Sequence, residues 1–411
     1  MRSDSPRRRR MLGVAAGALF TPPMIHAEDN QRFAVQVDAG LVAVGGGAVS
    51  FLYGGFGKQR FDARHDGLRF GSVLIDYRGI LTDTVTLRAS GVASGDGDRS
   101  PLGFTQVFLD WRPYPRPLGR LRAKLGAFYP PFSLEARDLG WTSPYTQAPS
   151  ALTTWIGEEL RTVGAQVETS WRLVTGAQPT TVSLTTAAFG WNDPAGTLVA
   201  VRGWALHDRQ TPLLGVLHPS DSGPLEPFRE LDHRAGIYSG AQARRGDFEI
   251  SAYHYDNRGN PTATDGTNFG WQTLFDLLSV TWSHTAWTFL AQSMHGRTYL
   301  GLQPNGEFAN CWRLSTAYGL LSHQMGRAQL SLRYDRFATT EPITIAAYRT
   351  EDDGHAWTVT YRHSWSKQWQ GTVEAVNIYS TNTARAASGG APGLGERQVR
   401  LNARYRFGNG L

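Results

Sequence analysis

The chain has 411 residues, with 41 basic and 35 acidic side chains and one cysteine, Cys311, which excludes a disulfide framework and a thiolate metal cluster. Five of the 41 basic residues and one of the 35 acids lie within residues 1–27, so the remainder carries 36 against 34, a net charge of +2. This near balance argues against a nucleic-acid-binding protein.

The first predicted element is an export signal. Arg7–Arg10 precede the apolar run Met11–Phe20, an arrangement typical of the n-region and h-region of a signal peptide. The acidic residues Glu28 and Asp29 follow, so we predict cleavage after Ala27 and a single mature domain over residues 28–411. The export route remains open between general secretion and the twin-arginine pathway.

After the leader, apolar and polar residues alternate with a period of two, which is the pattern of strands with two different faces. No second stretch approaches the roughly 20 apolar residues of a membrane-spanning helix. The alternation predicts sixteen strands, with eighteen as the alternative, near residues 33–45, 68–78, 84–94, 103–112, 119–129, 160–172, 181–191, 233–243, 247–257, 269–283, 286–299, 308–321, 327–337, 354–365, 368–380 and 396–407.

The last predicted strand has the clearest pair of faces. One face is apolar, with Val399 and Leu401 at its centre, while the other carries Arg400, Arg404 and Arg406. The same division recurs over residues 120–127 and 328–335. An arginine-bearing face is costly in a dry core and suits the wet lumen of a barrel whose apolar face meets lipid. The expected fold class is therefore all-β, an antiparallel transmembrane β-barrel.

Short and long connections alternate between the predicted strands. Seven brief turns, such as 79–83 and 284–285, separate mostly longer connections such as 46–67, 130–159 and 192–232. Outer-membrane barrels have short periplasmic turns and longer external loops. We therefore predict both chain ends in the periplasm. Residues 197–206 are assigned to the fourth external loop, because an extra strand there would break the alternation.

Tryptophan placement supports the same interpretation. Six tryptophans lie within a few residues of the short turns, where an aromatic girdle would meet the periplasmic headgroups. The alternative is that they are core residues of a soluble β protein. The six are Trp111, Trp171, Trp282, Trp287, Trp365 and Trp369.

The segment 120–166 resembles proteobacterial porins, in particular the phosphate-selective porin O and P family. The matching residues are Gly126, Pro131, Phe132, Ser133, Leu134, Glu135, Glu159 and Arg161, and the motif covers about a tenth of the chain. The resemblance implies a sixteen-stranded, usually trimeric barrel whose third external loop, 130–159, folds into the lumen as a constriction. That loop contains no lysine and only one arginine, Arg137, so a dense cationic phosphate site is not implied.

A diffusion pore needs polar lumen groups and a charged constriction. We predict constriction acids on the third loop and cations on the lumen faces of the strands, with a transverse field between them. The alternative is mutual neutralisation along the wall, with Asp110 near Arg120 and Arg122, and Glu374 near Arg400 or Arg404. The acids are Glu135, Asp138, Glu158 and Glu159, and the cations are Arg88, Arg120, Arg122, Lys124, Arg333, Arg362, Arg400, Arg404 and Arg406.

These features predict a passive diffusion porin of a Gram-negative outer membrane. Its expected partners are membrane lipid, lipopolysaccharide, two further copies of the chain and small hydrophilic solutes, with a mild preference for anions. No cofactor, metal, nucleic acid or catalytic residue is expected. One alternative is an outer-membrane barrel hydrolase, a phospholipase or protease, which would need a nucleophile and a base near one rim. Another is a secreted, soluble β protein that binds carbohydrate.

Overall fold

A computed structural model describes residues 30–96, 102–115, 119–174, 178–219, 223–345 and 349–411. The predicted signal peptide, residues 1–27, lies outside these described ranges. Within them, sixteen strands follow one another in chain order and form a closed antiparallel barrel, in which β1 pairs with β16. The expected sixteen-stranded barrel is confirmed, and the eighteen-stranded alternative is not adopted.

Each strand begins within three residues of its predicted start, although β13 runs six residues beyond its predicted end. The strands are β1 (Gln31–Gly45), β2 (Gly67–Ile80), β3 (Val85–Ser94), β4 (Leu102–Trp111), β5 (Arg120–Phe128), β6 (Thr162–Leu173), β7 (Thr180–Gly190), β8 (Gly236–Arg245), β9 (Phe248–Asp256), β10 (Gln272–His284), β11 (Trp287–Leu302), β12 (Phe308–Met325), β13 (Ala328–Ile343), β14 (Asp352–Ser364), β15 (Trp369–Asn382) and β16 (Gly393–Phe407).

The connections fall at two ends of the barrel. Short turns join the strands at one end, here called the turn end, and the longer connections lie at the loop end. Three short helices occur in loop-end connections: α1 (Ala151–Glu159), α2 (Thr197–Val201) and α3 (Thr383–Ala387). Because α2 forms where a further strand was considered, the assignment of residues 197–206 to a loop is confirmed. Among the described residues, no helix is long and apolar enough to cross a membrane.

The two faces of the strands are oriented as predicted. On β16, Leu401 and Val399 are 53 % and 49 % exposed, whereas Arg400 and Arg404 are only 7 % and 3 % exposed. The apolar face therefore forms the outer surface and the arginines point inward. A soluble β protein would require the reverse arrangement, with the leucines in a dry core.

The predicted aromatic girdle lies on the outer surface at the turn end. Trp111, Trp287, Trp365 and Trp369 are between 41 % and 56 % exposed. Trp282 pairs across β10 and β11 with Phe289, so the aromatic positions continue from strand to strand. Exposed indoles in a band at one end of a barrel are typical of a membrane-interface belt.

The interior differs from the wet, arginine-bearing lumen that was expected. Three loop-end connections fold into the barrel: loop 1 (residues 46–66), loop 3 (residues 129–161) and loop 4 (residues 191–235). Much of each loop is buried, and the wall facing them is dry. The expectation of a hydrated, arginine-bearing interior is wrong for this part of the lumen, because the loops exclude water from the strands. The predicted folding of the third loop into the lumen is confirmed.

An aromatic cluster holds loop 3 against one side of the barrel. Phe132 makes edge contacts with Tyr238, Tyr255 and Phe275 of β8, β9 and β10, with ring centres 5.2 to 6.0 Å apart. Trp155 of α1 contacts the same Phe275 ring at 5.5 Å. Aromatic pairs of this kind contribute about 0.5–1.5 kcal/mol each beyond the area they bury. The apolar side chains on this part of the inner wall therefore bind the loop instead of water.

The variant Leu401→Lys tests the lipid-facing belt. Leu401 lies between Leu41 of β1 and Val373 of β15, and a lysine on this face near the bilayer midplane costs about 2–4 kcal/mol. We expect that loss in the free energy of unfolding, measured by urea titration in lipid vesicles. Gly395→Lys is the matched control, since Gly395 lies on the same face near the loop end with open space around its Cβ position. Equal losses in the two variants would contradict the assignment of Leu401 to the belt.

Candidate functional site

Arg333 on β13 is the central contact between the wall and loop 3. Its guanidinium donates to Glu135 at 3.0 Å, to Asp335 at 2.7 Å and to the carbonyl of Ala148 at 2.8 Å. The three charged side chains are completely buried. A buried guanidinium is tolerated only where hydrogen-bonded acceptors surround it, and the two carboxylates meet this need. Loop 3 is therefore fastened to the wall by the first of its four predicted acids.

The side chain of Glu374 on β15 binds the backbone of loop 3. The carboxylate accepts the N–H of Gln147 at 2.5 Å and the N–H of Ala148 at 2.9 Å. Glu374 is the cross-strand neighbour of Arg400, as expected. The expected neutralisation of Arg400 or Arg404 by Glu374 is wrong, because the carboxylate oxygens bind loop amides instead.

Further wall arginines contact the turn of loop 3. Arg406 donates to Asp138, and Arg404 lies 3.9 Å from the same carboxylate while bonding Asp38 at 2.8 Å. Arg362 donates to the backbone carbonyl of Pro144. Glu135 and Asp138 thus face wall arginines as predicted, but the groups are in direct contact and leave no gap between them.

Glu158 does not face the wall. Its partners belong to loop 4: Arg202 at 2.6 Å and His207, whose Nε2 lies 3.1 Å away. Burial alone would raise the pKa of Glu158, but Arg202 and His207 outweigh it and lower the pKa to about 2. The prediction of a wall arginine opposite Glu158 is wrong, because α1 turns this side chain toward loop 4.

Glu159 has no ion-pair partner among the described residues. It is fully buried and accepts the N–H of Leu198 at 2.9 Å and the indole N–H of Trp155 at 2.5 Å. Burial raises the pKa of Glu159 to about 7, although both hydrogen bonds oppose the shift. The predicted role of Glu159 opposite a wall arginine is therefore wrong, and its carboxyl group joins α1 to α2.

Arg161 positions the end of α1. Its guanidinium donates to the carbonyls of Leu160 at 2.8 Å and Gly157 at 3.1 Å, and it lies 3.4 Å from the centre of the Tyr129 ring. A cation at the C-terminal carbonyls of a helix satisfies groups that have no partner within the helix. This residue of the porin-like segment thus shapes loop 3 from within.

Loop 4 crosses the lumen and is fixed by a charged cluster. Asp208 contacts Arg400 of β16 at 3.2 Å and Arg60 of loop 1 at 3.0 Å. Arg60 also contacts Asp96 at 2.6 Å, and Arg209 reaches that carboxylate at 2.7 Å. Loops 1 and 4 and the wall therefore share one ionic network at the loop end.

Asp352, at the start of β14, ties loops 1 and 4 together. It accepts the ammonium of Lys58 at 2.6 Å and the backbone N–H of Trp204 at 2.9 Å. Gly203 precedes this contact with a φ of 79°, and a Cβ atom there would lie 2.4 Å from the Asp352 Oδ2 atom. Only glycine allows the backbone to approach the carboxylate so closely.

The predicted cations of β3 and β5 lie near the turn end. Asp110 is surrounded by Arg122 at 2.7 Å, Arg112 at 2.8 Å and Arg88 at 3.3 Å. The expected contact between Asp110 and Arg122 is present. Arg120 is exposed at the start of β5, and its cross-strand neighbour is Ser170. The expectation that Arg120 lies near Asp110 is therefore wrong.

Lys124 lies in a partly aromatic environment. Its ammonium is 4.9 Å from the centre of the Phe128 ring and 5.7 Å from that of Phe108. A cation over an aromatic face gains electrostatic attraction from the ring. Lys124 therefore belongs to the inner wall as predicted, without facing a constriction acid directly.

A large cavity, here called the vestibule, opens at the turn end. Its volume is about 770 Å³, and of the described residues six basic side chains but only two acids, Asp76 and Asp138, line it. The basic residues are Arg32, Arg78, Arg88, Arg137, Lys367 and Arg406.

The vestibule contains a row of three arginines. Arg32, Arg78 and Arg88 are consecutive cross-strand partners on β1, β2 and β3. Like charges directly opposite one another on a sheet are unfavourable. The wall of the vestibule is therefore a surface of excess positive charge.

A second, much smaller cavity lies between loops 3 and 4. Its volume is only about 20 Å³, and it is lined by Trp141, Gln147, His207 and Asp208 among others. This is room for about one water molecule. Trp141 lines both cavities, so it separates the vestibule from the contact between the two loops.

The sequence patterns did not indicate the part played by loops 1 and 4. Arg60, Arg202 and Asp208 lie in irregular segments, and a period of two cannot identify them. One sequence feature did indicate that part of loop 4 is buried, namely the mostly apolar run of residues 197–206. A run of this kind in a connection predicts burial, and Leu198, Trp204 and Leu206 are each 1 % exposed.

Comparison with solved structures supports the fold. The outer membrane channel DcaP of Acinetobacter baumannii is 11 % identical with a TM-score of 0.54, and the match covers 92 % of this chain and 96 % of that one. OmpF of Salmonella typhi, in complex with daunomycin, is 11 % identical with a TM-score of 0.51 over 92 % and 97 % of the two chains.

No protein-family model matches the sequence, and no curated protein matches it. Identities near one in ten establish the architecture alone. The fold is that of an outer-membrane β-barrel.

Removing the charge of Arg333 tests how loop 3 is held. Arg333→Met leaves Glu135 and Asp335 buried without their cation, a defect that costs about 3–5 kcal/mol. We expect loop 3 to loosen, so that trypsin cleaves after Arg137 and single-channel conductance rises. Arg327→Met is the control, since Arg327 is exposed at the turn end and donates to the Trp365 carbonyl. Unchanged cleavage and conductance would show that Arg333 does not hold the loop.

The raised pKa of Glu159 predicts a pH dependence of stability. Its pKa in the folded chain, about 7, lies above the ordinary value of 4.5, so the folded state binds the proton more tightly than the unfolded state does. Stability is therefore fully present below about pH 4.5 and falls as the pH rises through about 7. We expect Glu159→Gln to flatten this part of the profile in urea unfolding followed by tryptophan fluorescence, and Glu307→Gln, at an exposed position, to leave it unchanged. An unaltered slope in Glu159→Gln would contradict the assignment.

Proposed function

We propose that the chain is a passive diffusion channel of a Gram-negative outer membrane, through which small hydrophilic solutes cross with a preference for anions. Loop 3 (residues 129–161) forms the constriction together with loop 4. In the proposed orientation the turn end faces the periplasm, the loop end faces outward, and the apolar belt contacts membrane lipid and lipopolysaccharide. The outward-facing leucines and the girdle of tryptophans support this placement.

The observation that carries the anion preference is the arginine row in the vestibule. Arg32, Arg78 and Arg88 face a water-accessible cavity, and of these only Arg88 contacts a carboxylate among the described residues, Asp110 at 3.3 Å. A cavity lined by one sign of charge concentrates ions of the opposite sign. Solutes passing this surface on the periplasmic side of the narrow region would be selected by charge, without a tight binding site.

Conduction between loops 3 and 4 would require loop 4 to separate from loop 3. The space between the two loops, about 20 Å³, is too small for a hydrated ion or a sugar. The contacts that close it are ionic, chiefly Asp208 with Arg400 and Glu158 with Arg202. Such contacts rearrange without loss of the surrounding barrel, because the strands have their own hydrogen bonds.

The proposed assembly is a homotrimer, as the resemblance of segment 120–166 to porins implies. A hydrolytic role has no comparable support. Among the described residues four histidines contact carboxylates, yet no serine hydroxyl is hydrogen-bonded to these imidazoles. The pairs are His65 with Asp62, His207 with Glu158, His254 with Asp276 and His284 with Asp247.

Planar-bilayer recording tests the proposed function. We expect discrete conductance steps and, under a potassium chloride gradient, a reversal potential that indicates chloride preference. Arg32→Ser combined with Arg78→Ser should lower the chloride-to-potassium permeability ratio at least about twofold, because the positive potential of the vestibule falls.

Arg397→Ser is the matched control, since Arg397 is exposed on the outer face of β16 and should not affect the ratio. A cation-preferring wild-type channel would overturn the anion preference. Absence of any conductance, for the wild type and for Arg333→Met, would overturn the channel itself.

A further inference from the structure

The vestibule combines positive charge with apolar surface. The cross-strand row of three arginines on its wall continues on β4 with an aromatic ring, because Phe108 is the partner of Arg88. Loop 3 adds the side chains of Ala136, Leu139 and Trp141 to the lining. The vestibule therefore offers a solute two kinds of contact, one with guanidinium groups and one with apolar and aromatic side chains.

The Trp141 indole is held in a fixed plane. The Tyr129 ring stacks on it, with ring centres 3.9 Å apart and an angle of 7° between the planes. The Arg161 guanidinium lies 3.4 Å from the centre of the same Tyr129 ring. Trp141 is nevertheless partly exposed and lines the vestibule. The part of the indole that Tyr129 leaves uncovered is therefore a preformed aromatic surface for a solute.

The backbone at Trp141 has an uncommon conformation. Its φ is 59°, and that of Gly140 is 63°, in the left-handed region that bulky residues rarely adopt. Asp76 accepts the N–H of Gly140 at 2.9 Å, and the Gln210 amide donates to the Gly140 carbonyl at 2.7 Å. Such strain persists only where the surroundings enforce it, and it is common at sites that contact ligands. The conformation therefore indicates that the position of the indole matters for function.

A solute that uses both kinds of contact carries a negative charge on a flat apolar body. Guanidinium groups bind carboxylates through charge-assisted hydrogen bonds, and an aromatic ring of the solute can stack on an indole or meet the edge of another ring. The vestibule volume, about 770 Å³, lies within the range of about 300–1,000 Å³ that is typical of small-molecule sites. Small aromatic carboxylates fit this description.

We propose that Trp141 determines the solute specificity of the barrel, by favouring aromatic carboxylates among the anions that the arginine row attracts. Phe108 supplies a second ring on the wall. The proposal rests on the proposed channel function, since it names the class of anion that the vestibule selects. Binding is weak, because the solute must leave the site again for transport to continue.

Planar-bilayer recording at pH 7 with two anions of equal charge tests the proposal. Benzoate has a flat aromatic body, whereas gluconate carries its charge on a hydroxylated chain. Each is added at constant potassium chloride, and the concentration that halves the chloride current is measured. We expect this concentration to be at least about threefold lower for benzoate, because only benzoate stacks on the indole.

Variants of loop 3 assign this preference to the indole. Trp141→Ala should bring the half-blocking concentrations of the two anions together, and Trp141→Phe, which keeps a ring, should preserve the difference. Tyr145→Ala is the matched control, since Tyr145 is a partly buried aromatic residue of loop 3 outside the vestibule lining. It should keep the benzoate preference. Equal loss in Trp141→Ala and Tyr145→Ala would trace the effect to a loosened loop and overturn the proposal.

A variant on the wall tests the site without altering loop 3. Phe108→Leu should reduce the ratio of the two half-blocking concentrations at least about twofold, because one ring of the site is lost. Phe189→Leu is its control, since Phe189 is a buried residue of β7 that does not line the vestibule. An unchanged ratio in both Phe108→Leu and Trp141→Ala would contradict the assignment of these rings.

The arginine row should act on both anions alike. Arg32→Ser combined with Arg78→Ser should raise both half-blocking concentrations and leave their ratio unchanged, because charge attracts benzoate and gluconate equally. A wild-type channel that conducts chloride without preferring benzoate would overturn the proposal and leave the proposed function intact. A wild-type barrel that conducts no ions would overturn both.

Discussion

The position of the loops depends on one constraint: cations on the inner wall need acceptors wherever water is excluded. Arg333 illustrates it most directly, because it is fully buried and bonds both a wall carboxylate and the loop carboxylate of Glu135. Without loop 3 this arginine would face water, and with a loop lacking an acid it would be buried without full compensation. Charge compensation therefore decides which part of the loop lies against β13.

The lumen has two sides, and the loops bind each by a different interaction. On the side of β8 to β10 the wall is aromatic, and Phe132 and Trp155 pack against it. On the side of β13 to β16 the wall is charged, and carboxylates and carbonyls of the loops bind it. The aromatic contacts bury apolar surface of the loops, and the ionic contacts fix the orientation of the loops against the wall. Together they hold the described parts of loops 3 and 4 within the loop end of the barrel, whereas the vestibule lies at the turn end.

The vestibule and the ion pairs of the outer surface both arise from unusual residues in an alternating pattern. In the vestibule, Arg32, Arg78 and Arg88 repeat one charge on neighbouring strands. On the outside, the ion pairs of His254 with Asp276 and of Arg336 with Asp353 interrupt the apolar surface. Apolar or uncharged side chains at these positions would stabilise the barrel more. The charged residues present there are therefore informative about solutes or partners rather than about folding.

The sequence determined the strands, their number and their two faces. A period of two is a local property of extended backbone, so Leu401 and Arg400 reveal opposite faces without knowledge of any distant residue. The motif around Glu135 likewise indicated that the third loop enters the lumen. These features need only neighbours along the chain or a short recognisable segment.

Only the tertiary structure decided which charges of loops 1 and 4 meet. Asp208 contacts Arg60 and Arg400, which are 148 and 192 residues away in the chain. Irregular loops have no periodicity that would indicate such partners. Glu158 and Glu159 are adjacent in sequence, yet α1 directs one toward Arg202 and the other toward the start of α2. Pairing of this kind follows from packing of three loops within one closed wall, a result that no local pattern contains.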